Sequence, residues 1–264
     1  MLRASGGVTN RANSVLTAGA VDDAPAAIVQ AERWYADRSL GAVFQLSPAS
    51  PDGLADALTD RGYREHSRTD ILVGDRAAAA AAAASDPVAA PLSGPAGFRP
   101  RISDLPDDAW LSTWWSVDGR GGAAERDVAE RILTGGPALY ASLGDPAAPD
   151  AVARLALVGE WGGLYSVATR PAARRRGLAR ALGIALASAS AEHGVERLWL
   201  QVLAENVPAH ALYASLGFRS ASHYSYWSSA PGTAGMSVAR RANTSASCCS
   251  DGGGTATAEP IRIK

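Results

Sequence analysis

A chain of 264 residues, 47% hydrophobic and 19% charged, is long enough for one large domain or two modest ones. Its formal net charge of −1 and isoelectric point near 6.4 speak against a dedicated nucleic-acid binder, which carries a basic excess. No apolar run approaches the roughly 18 residues of a bilayer span, MLRASGGVTN lacks a secretion-signal stretch, and the only cysteines, Cys248 and Cys249, are adjacent, which excludes a disulfide framework and a zinc spacing. The expectation is a cytoplasmic chain with no nucleic-acid, membrane or metal partner.

In chain order, RANSVL (11–16) is a polar-then-apolar strand start without an assignable role, APAAIVQAERWYADRSL (24–40) is helical and GAVFQLS (41–47) a strand. ALTDRGYREHSRTDILVG (57–74) reads as a helix ending in Gly-aromatic-Arg, followed by a strand. From Gly74 to Gly97 the chain turns to eight consecutive alanines and then Pro, Gly and Ser. No large apolar residue pins a helix there, so the stretch reads as a linker. From Pro231 onward the sequence is small, polar and glycine-rich, and a disordered tail is expected. These breaks divide the chain into 10–73, a linker at 74–97, a main domain at 98–230 and a tail at 231–264.

Within the main domain AGFRPRI starts a strand, and Asp104, Pro106 and Asp107 open a helix carrying Trp110, Trp114 and Trp115. Those tryptophans could line an acceptor pocket, but their helical spacing favours core. A second helix covers about 123–133. Strands follow at about 137–143, 152–160 and 163–169, the last two joined at Gly162–Gly163. A helix beginning near Arg175 carries Leu178, Leu182, Ala185 and Ala189 as an apolar stripe and stops at His193–Gly194. RLWLQVL (197–203) is a strand, VPAHALYASLGF (207–218) a helix with Pro208 in its first turn, and RSASHYSYW a closing strand.

One stretch carries chemistry. In RPAARRRGLARAL (170–182), Arg170, Arg174, Arg175 and Arg176 precede Gly177, between a strand and a helix N-terminus. The first turn of a helix leaves amides without intrahelical partners, and its dipole makes that end positive. A pyrophosphate there meets geometry and field together. Gly177 lets the backbone approach, Ala179 keeps the next position small, and arginines at the rim add charge-assisted bonds. No Gly-Lys-Ser/Thr follows, so a metal-free pyrophosphate fits better than a magnesium-bound triphosphate.

The same residues resemble the GCN5-related N-acetyltransferases. Arg174-x-x-Gly177-x-Ala179 is similar to that family's R/Q-x-x-G-x-G/A signature. Asn206, Ala209, Leu212, Tyr213, Gly217 and Phe218 match its later N-x-x-A-x-x-L-Y-x-x-x-G-F pattern. The resemblance implies an α/β (α+β) fold with a central mixed, mostly antiparallel sheet flanked by helices. It also implies an enzyme transferring acetyl from acetyl-CoA to a small-molecule or peptide amine by direct attack in a ternary complex, as monomer or homodimer. Val167, Ala168 and Thr169 would pair with pantetheine; Arg174, Arg175, Arg176, Gly177, Leu178, Ala179 and Arg180 would hold the pyrophosphate. Asn206 reads as a helix N-cap or a pantetheine contact. Tyr213 matches the tyrosine that protonates the departing thiolate. Ribosomal-protein acetyltransferases of the family place a glutamate where this chain has Gln201, which cannot accept a proton. Glu160, near a turn between strands, is the substitute base, or else a solvated hairpin charge. Residues 10–73 resemble a degenerate half of the same fold, with Leu58 where Tyr213 stands and no arginine–glycine cradle; an unrelated βα extension is the alternative. The competing function is a catalytically silent acyl-CoA-binding module.

Overall fold

The structure is a computed structural model in which residues 1–82 and 99–229 are described; most of the expected linker and the whole expected tail lie outside them. Contacts divide the described residues into a smaller unit (1–68, 123–128 and 224–229) and a larger one (69–82, 99–122 and 129–223).

In the smaller unit β1 (Val15–Leu16) pairs in parallel with β2 (Val43–Leu46), and β2 pairs antiparallel with the end of β9 (Arg219–Ser229). Helix α1 (Ala24–Ala36) begins where Asp23 accepts the Ala26 amide and buries Ile28, Ala31 and Tyr35 on one stripe. With Phe44, Tyr63, and Leu54 and Leu58 of α2 (Leu54–Asp60), the α1 residues Ile28 and Ala31 form a separate core. The expected helix–strand–helix–strand order is present, closed by β3 (Tyr63–Asp75), and fully buried Leu58 serves packing. Beneath it Arg3 donates to the Ser14 hydroxyl at 2.7 Å and to Gln45 Oε1 at 2.5 Å.

The larger unit begins inside β3, at Thr69. Its sheet runs in the order β3, β8 (Arg197–Leu203), β7 (Trp161–Thr169), β6 (Ala148–Val158), β5 (Ala138–Asp145), β4 (Arg101–Ser103). Every neighbouring pair is antiparallel except β7 and β8, the mixed, mostly antiparallel sheet expected. Alternation along the strands separates two faces. One carries Ala141, Ala151, Ala153, Leu155, Leu198, Leu200 and Val202, and takes α6 (Leu178–Ala189) and α7 (Val207–Ala214). The other carries Tyr140, Val152 and Ala168, covered by Trp110 and Leu111 of α4 (Asp108–Asp118). Helix α5 (Ala123–Thr134) precedes β5, and its Leu133 joins this second cluster.

Three expectations need correction. Gly74 and Asp75 are strand rather than linker, and Arg76–Ala81 form a helix, α3, capped by Asp75. Its alanines supply small faces instead of large anchors: Ala79, 1% exposed, packs into the core with α6, and the Arg180 guanidinium binds the Ala82 carbonyl. The β6–β7 turn lies at Gly159–Glu160, not Gly162–Gly163. Those glycines sit inside β7 because neighbours occupy the space a Cβ would need, Leu198 at 2.9 Å over Gly162 and the Tyr165 ring at 2.9 Å over Gly163. Helix α7 stops at Ala214, ahead of the left-handed Gly217 (φ 82°). The stop after α6 is as expected, at Gly194 with φ 71°.

Leu182 lies at the centre of this packing with no exposed surface. Leu182→Ala is expected to cost about 2–5 kcal/mol, read from the urea midpoint of the full chain.

Candidate functional site

Strands β7 and β8 are paired only from Trp161↔Arg197 to Leu164↔Leu200. Beyond that point β7 stays bonded to β6 through Ala168↔Val152 and Thr169↔Ala151, and β8 to β3 through Leu203↔Thr69. Each strand thus keeps its outer partner where the ladder between the two has ended. A register shift between Val152 and Arg154, with Ser166 held at φ 51°, marks a bulge that bends β7 where the two strands part. Val167, Ala168 and Thr169 follow it. Val167 packs on the core and Ala168 is buried, so their backbone is what faces the gap.

After β7 the chain makes a short 3-10 turn, Pro171–Ala173, and two left-handed residues, Arg175 (φ 63°) and Gly177 (φ 76°), deliver it to the start of α6. Ala181 is the first amide to bond back, to the Gly177 carbonyl at 3.0 Å. The amides of Leu178, Ala179 and Arg180 therefore have no intrahelical acceptor and can take an anion.

The arginines around this turn divide their roles. Arg174 donates to the Thr169 carbonyl at 3.3 Å, Arg176 lies 3.4 Å from Asp150, and Arg180 donates to Ser215 Oγ at 3.3 Å and the Ala82 carbonyl at 3.1 Å. Arg170 is scaffold, tied to the Pro149 carbonyl and the Thr113 hydroxyl, both at 2.9 Å. Arg174, Arg175 and Arg176 are exposed at the rim.

On α7 Asn206 is the N-cap, accepting the Ala209 amide at 3.2 Å. Asn206, His210 and Tyr213 lie on one stripe by helical spacing. Tyr213 is buried against Phe218, ring centroids 5.8 Å apart, and desolvation pushes its hydroxyl up to about 12. His210 Nε2 is buried without a hydrogen bond, 3.6 Å from Asp70 on β3. Gln201 stands on β8 opposite Ile71.

Glu160 is not brought to this place. Its side chain is exposed in the β6–β7 turn, at the end of β7 where β8 is still paired, and its carbonyl accepts the Glu196 and Arg197 amides. An extended strand rises about 3.3 Å per residue, so the run from Trp161 to Thr169 separates it from the cradle by roughly 25 Å. Trp110 is core, 2% exposed, its indole bonded to the Ala141 carbonyl. Trp114 and Trp115 pack edge-to-face beside it, 5.6 Å apart. The sequence reading did not single out Arg154, Tyr165 and Trp199, which share the face covered by α4. The signal was present: Arg154 is the one charge in the apolar strand AVARLALV.

Among the described residues no group of three His, Cys, Asp or Glu is placed to hold a metal, and no helix is long and apolar enough to cross a membrane. A family model described as probable histone acetyltransferase Rv0428c C-terminal matches residues 1–227. An uncharacterized N-acetyltransferase, YobR of Bacillus subtilis, is 26% identical over 227 residues, covering 86% of this chain and 88% of that protein. The ribosomal protein bS18-alanine N-acetyltransferase of Escherichia coli is 47% identical over 58 residues, 22% of this chain and 39% of the enzyme. Among solved structures, a tandem GNAT protein from the clavulanic acid biosynthesis pathway superposes with TM-score 0.57 at 16% identity, over 78% of this chain and 70% of that one. A functionally unknown protein of Staphylococcus epidermidis gives 0.61 at 7% identity, over 83% and 85%. At these identities the structures share the fold.

Two outcomes follow from the geometry of α7. Asn206→Ala removes the cap and is expected to cost about 1 kcal/mol in chemical denaturation. Because burial raises the Tyr213 hydroxyl from 10 to about 12, its contribution to stability is complete below pH 10 and is lost as pH rises toward 12. Comparison of Tyr213→Phe with the parent in alkaline unfolding is expected to show a shallower decline in the variant.

Proposed function

The chain belongs to the Rv0428c C-terminal acetyltransferase family and to the GCN5-related N-acetyltransferases, and from that premise we propose that it transfers an acetyl group from acetyl-CoA to a primary amine by direct attack in a ternary complex, in the cytoplasm. The observation that carries this reading is the parted pair β7 and β8 beside the amide-lined start of α6.

The site fits the donor in shape and charge. The inner edges of β7 and β8 offer backbone groups to an extended pantetheine arm, with Val167, Ala168 and Thr169 on one side. The amides at Leu178, Ala179 and Arg180, with Gly177 before them, would hold the pyrophosphate, and Arg174, Arg175 and Arg176 would meet its oxygens from the rim. Asn206 caps α7 and so fixes the helix that carries Tyr213.

When the amine attacks the thioester carbonyl, the new C–N bond forms as the C–S bond breaks. The departing thiolate takes a proton, which we assign to the Tyr213 hydroxyl. With its ionisation raised to about 12 that hydroxyl is protonated throughout the neutral range, as an acid must be. The amine gives its proton to solvent water, which returns one to the Tyr213 phenolate, so that amide and free thiol are the products; exposed Glu160 in the β6–β7 turn takes no part. A silent binding module gains nothing from such a hydroxyl, and the acetyltransferase names of the relatives weigh against it.

Tyr213→Phe keeps the ring and is expected to lower kcat by roughly 10²–10⁴-fold, with acetyl-CoA affinity nearly unchanged. Turnover equal to the parent's removes the tyrosine from this role. Gly177→Val places a β-branched side chain at φ 76° in the cradle and is expected to weaken acetyl-CoA binding severely in calorimetry while the protein stays folded. Unchanged affinity overturns the phosphate assignment.

A further inference from the structure

Arg154 has no function in the reading above, yet its placement is costly. It stands in β6 among small and apolar residues and is only 8% exposed. Its Nε donates to the Tyr140 hydroxyl at 3.3 Å, and its guanidinium lies 5.8 Å from that ring's centroid. The Tyr140 hydroxyl in turn donates to the Leu133 carbonyl at 2.8 Å. Among the described residues no carboxylate pairs with Arg154, and its Nη1 and Nη2 make no hydrogen bond within the protein and stay in reach of solvent. A guanidinium does not escape by losing its proton. Among the described residues its partners are the Tyr140 hydroxyl and ring face, and the remaining guanidinium donors have no protein acceptor.

Its position gives the deficit a use. Across the β6–β7 ladder Arg154 stands opposite Tyr165. Tyr165 is the first β7 residue beyond Leu164↔Leu200, where the pairing with β8 ends. The Tyr165 ring meets Trp199 of β8 edge-on at 5.3 Å, and both rings crowd over Gly163, where a Cβ would come within 2.9 Å of one and 3.0 Å of the other. On the same face the Trp114 indole N–H is buried with no acceptor; that ring stacks on Trp110 at 6.3 Å, which in turn meets Tyr140 at 5.3 Å. A guanidinium and an indole N–H are donors only. They share an aromatic face at the opening of the parted strands.

We propose that Arg154 seats a carboxylate of the acceptor, so that the substrate is a small amine that also bears a carboxylate, of amino-acid size, lying against Tyr165 and Trp199 with its amine at the β7–β8 opening. This rests on the acyl-transfer reading for its reaction and narrows the acceptor. Neighbouring strands are about 4.8 Å apart, so carboxylate and amine are separated by the few bonds of an α- or β-amino acid. A lysine-rich peptide would bring like charge to the guanidinium and is disfavoured.

The test uses the full chain and two probes that differ only in the anionic group, N-acetyl-L-alanine and N-acetyl-L-alaninamide, titrated in the presence and absence of CoA. The carboxylate is expected to bind at least about tenfold tighter than the amide. Arg154→Gln is expected to abolish that preference and Arg154→Lys to keep part of it. Equal binding of the two probes by the parent protein overturns the proposal whether or not either variant folds, as does an undiminished preference in Arg154→Gln. CoA titration in the same experiment separates the two readings. CoA binding without carboxylate preference overturns only the Arg154 seat; a carboxylate preference without CoA binding supports the seat and overturns the acyl-transfer reading.

Discussion

The site depends on a hydrogen-bond ladder that stops. β7 and β8 lie side by side in parallel and bond only as far as Leu164↔Leu200, after which each is held by its outer neighbour alone. Backbone amides and carbonyls are almost always paired, so two facing strand edges without a ladder between them leave groups that water or an extended polar ligand can meet. The bulge at Val152–Arg154 and the left-handed Ser166 keep them apart, since a regular β7 would continue pairing up β8 and close the gap.

The helix that follows completes the geometry. Arg175 and Gly177 both hold positive φ, a conformation that lets the chain turn from the end of β7 into α6 with its first amides aimed outward. Behind them α6 is anchored by leucines with no exposed surface, and the small side chains of β6, Ala151 and Ala153, form part of the sheet face it packs against. An anion at this end then meets fixed dipoles, and little reorganisation is needed when it binds. Arg180 shows how closely site and scaffold are joined here, since one side chain touches the turn after α7 and the carbonyl after α3.

The two faces of the larger sheet have opposite chemistry. The α6 face is aliphatic and dry, and through Tyr213 it presents a hydroxyl whose burial keeps it protonated. The α4 face is aromatic and donor-rich: the Trp114 N–H is buried without an acceptor, and Arg154 meets the Tyr140 hydroxyl but no carboxylate among the described residues. An apolar residue in place of Arg154 would pack in β6 without the desolvation cost. That a charge stands there instead is the kind of local inconsistency found where function overrides stability.

The sequence by itself determined the glycine turn into α6 and most of the order of elements. Gly177 and Ala179 after the arginines, Asn206 and Pro208 at a helix start, and Gly194 at a chain reversal are local signals whose cause lies within one turn of the residue. It also showed the helix–strand order within 10–73, because periodicity is local too. What it misjudged depended on neighbours distant in sequence. The alanine run after Gly74 looked like a linker because alanine carries no apolar anchor, and only a partner such as α6 makes its small face an advantage. Gly162 and Gly163 looked like a turn, and only the side chains of Leu198 and Trp199 on the next strand reveal them as strand glycines. Glu160 looked close to the chemistry because the turn was misplaced, and the extended length of β7 removes it. Arg154 was visible as a charge in an apolar strand, but that no carboxylate among the described residues pairs with it and that it stands opposite the first β7 residue beyond Leu164↔Leu200 is a matter of register and packing, which tertiary structure alone decides.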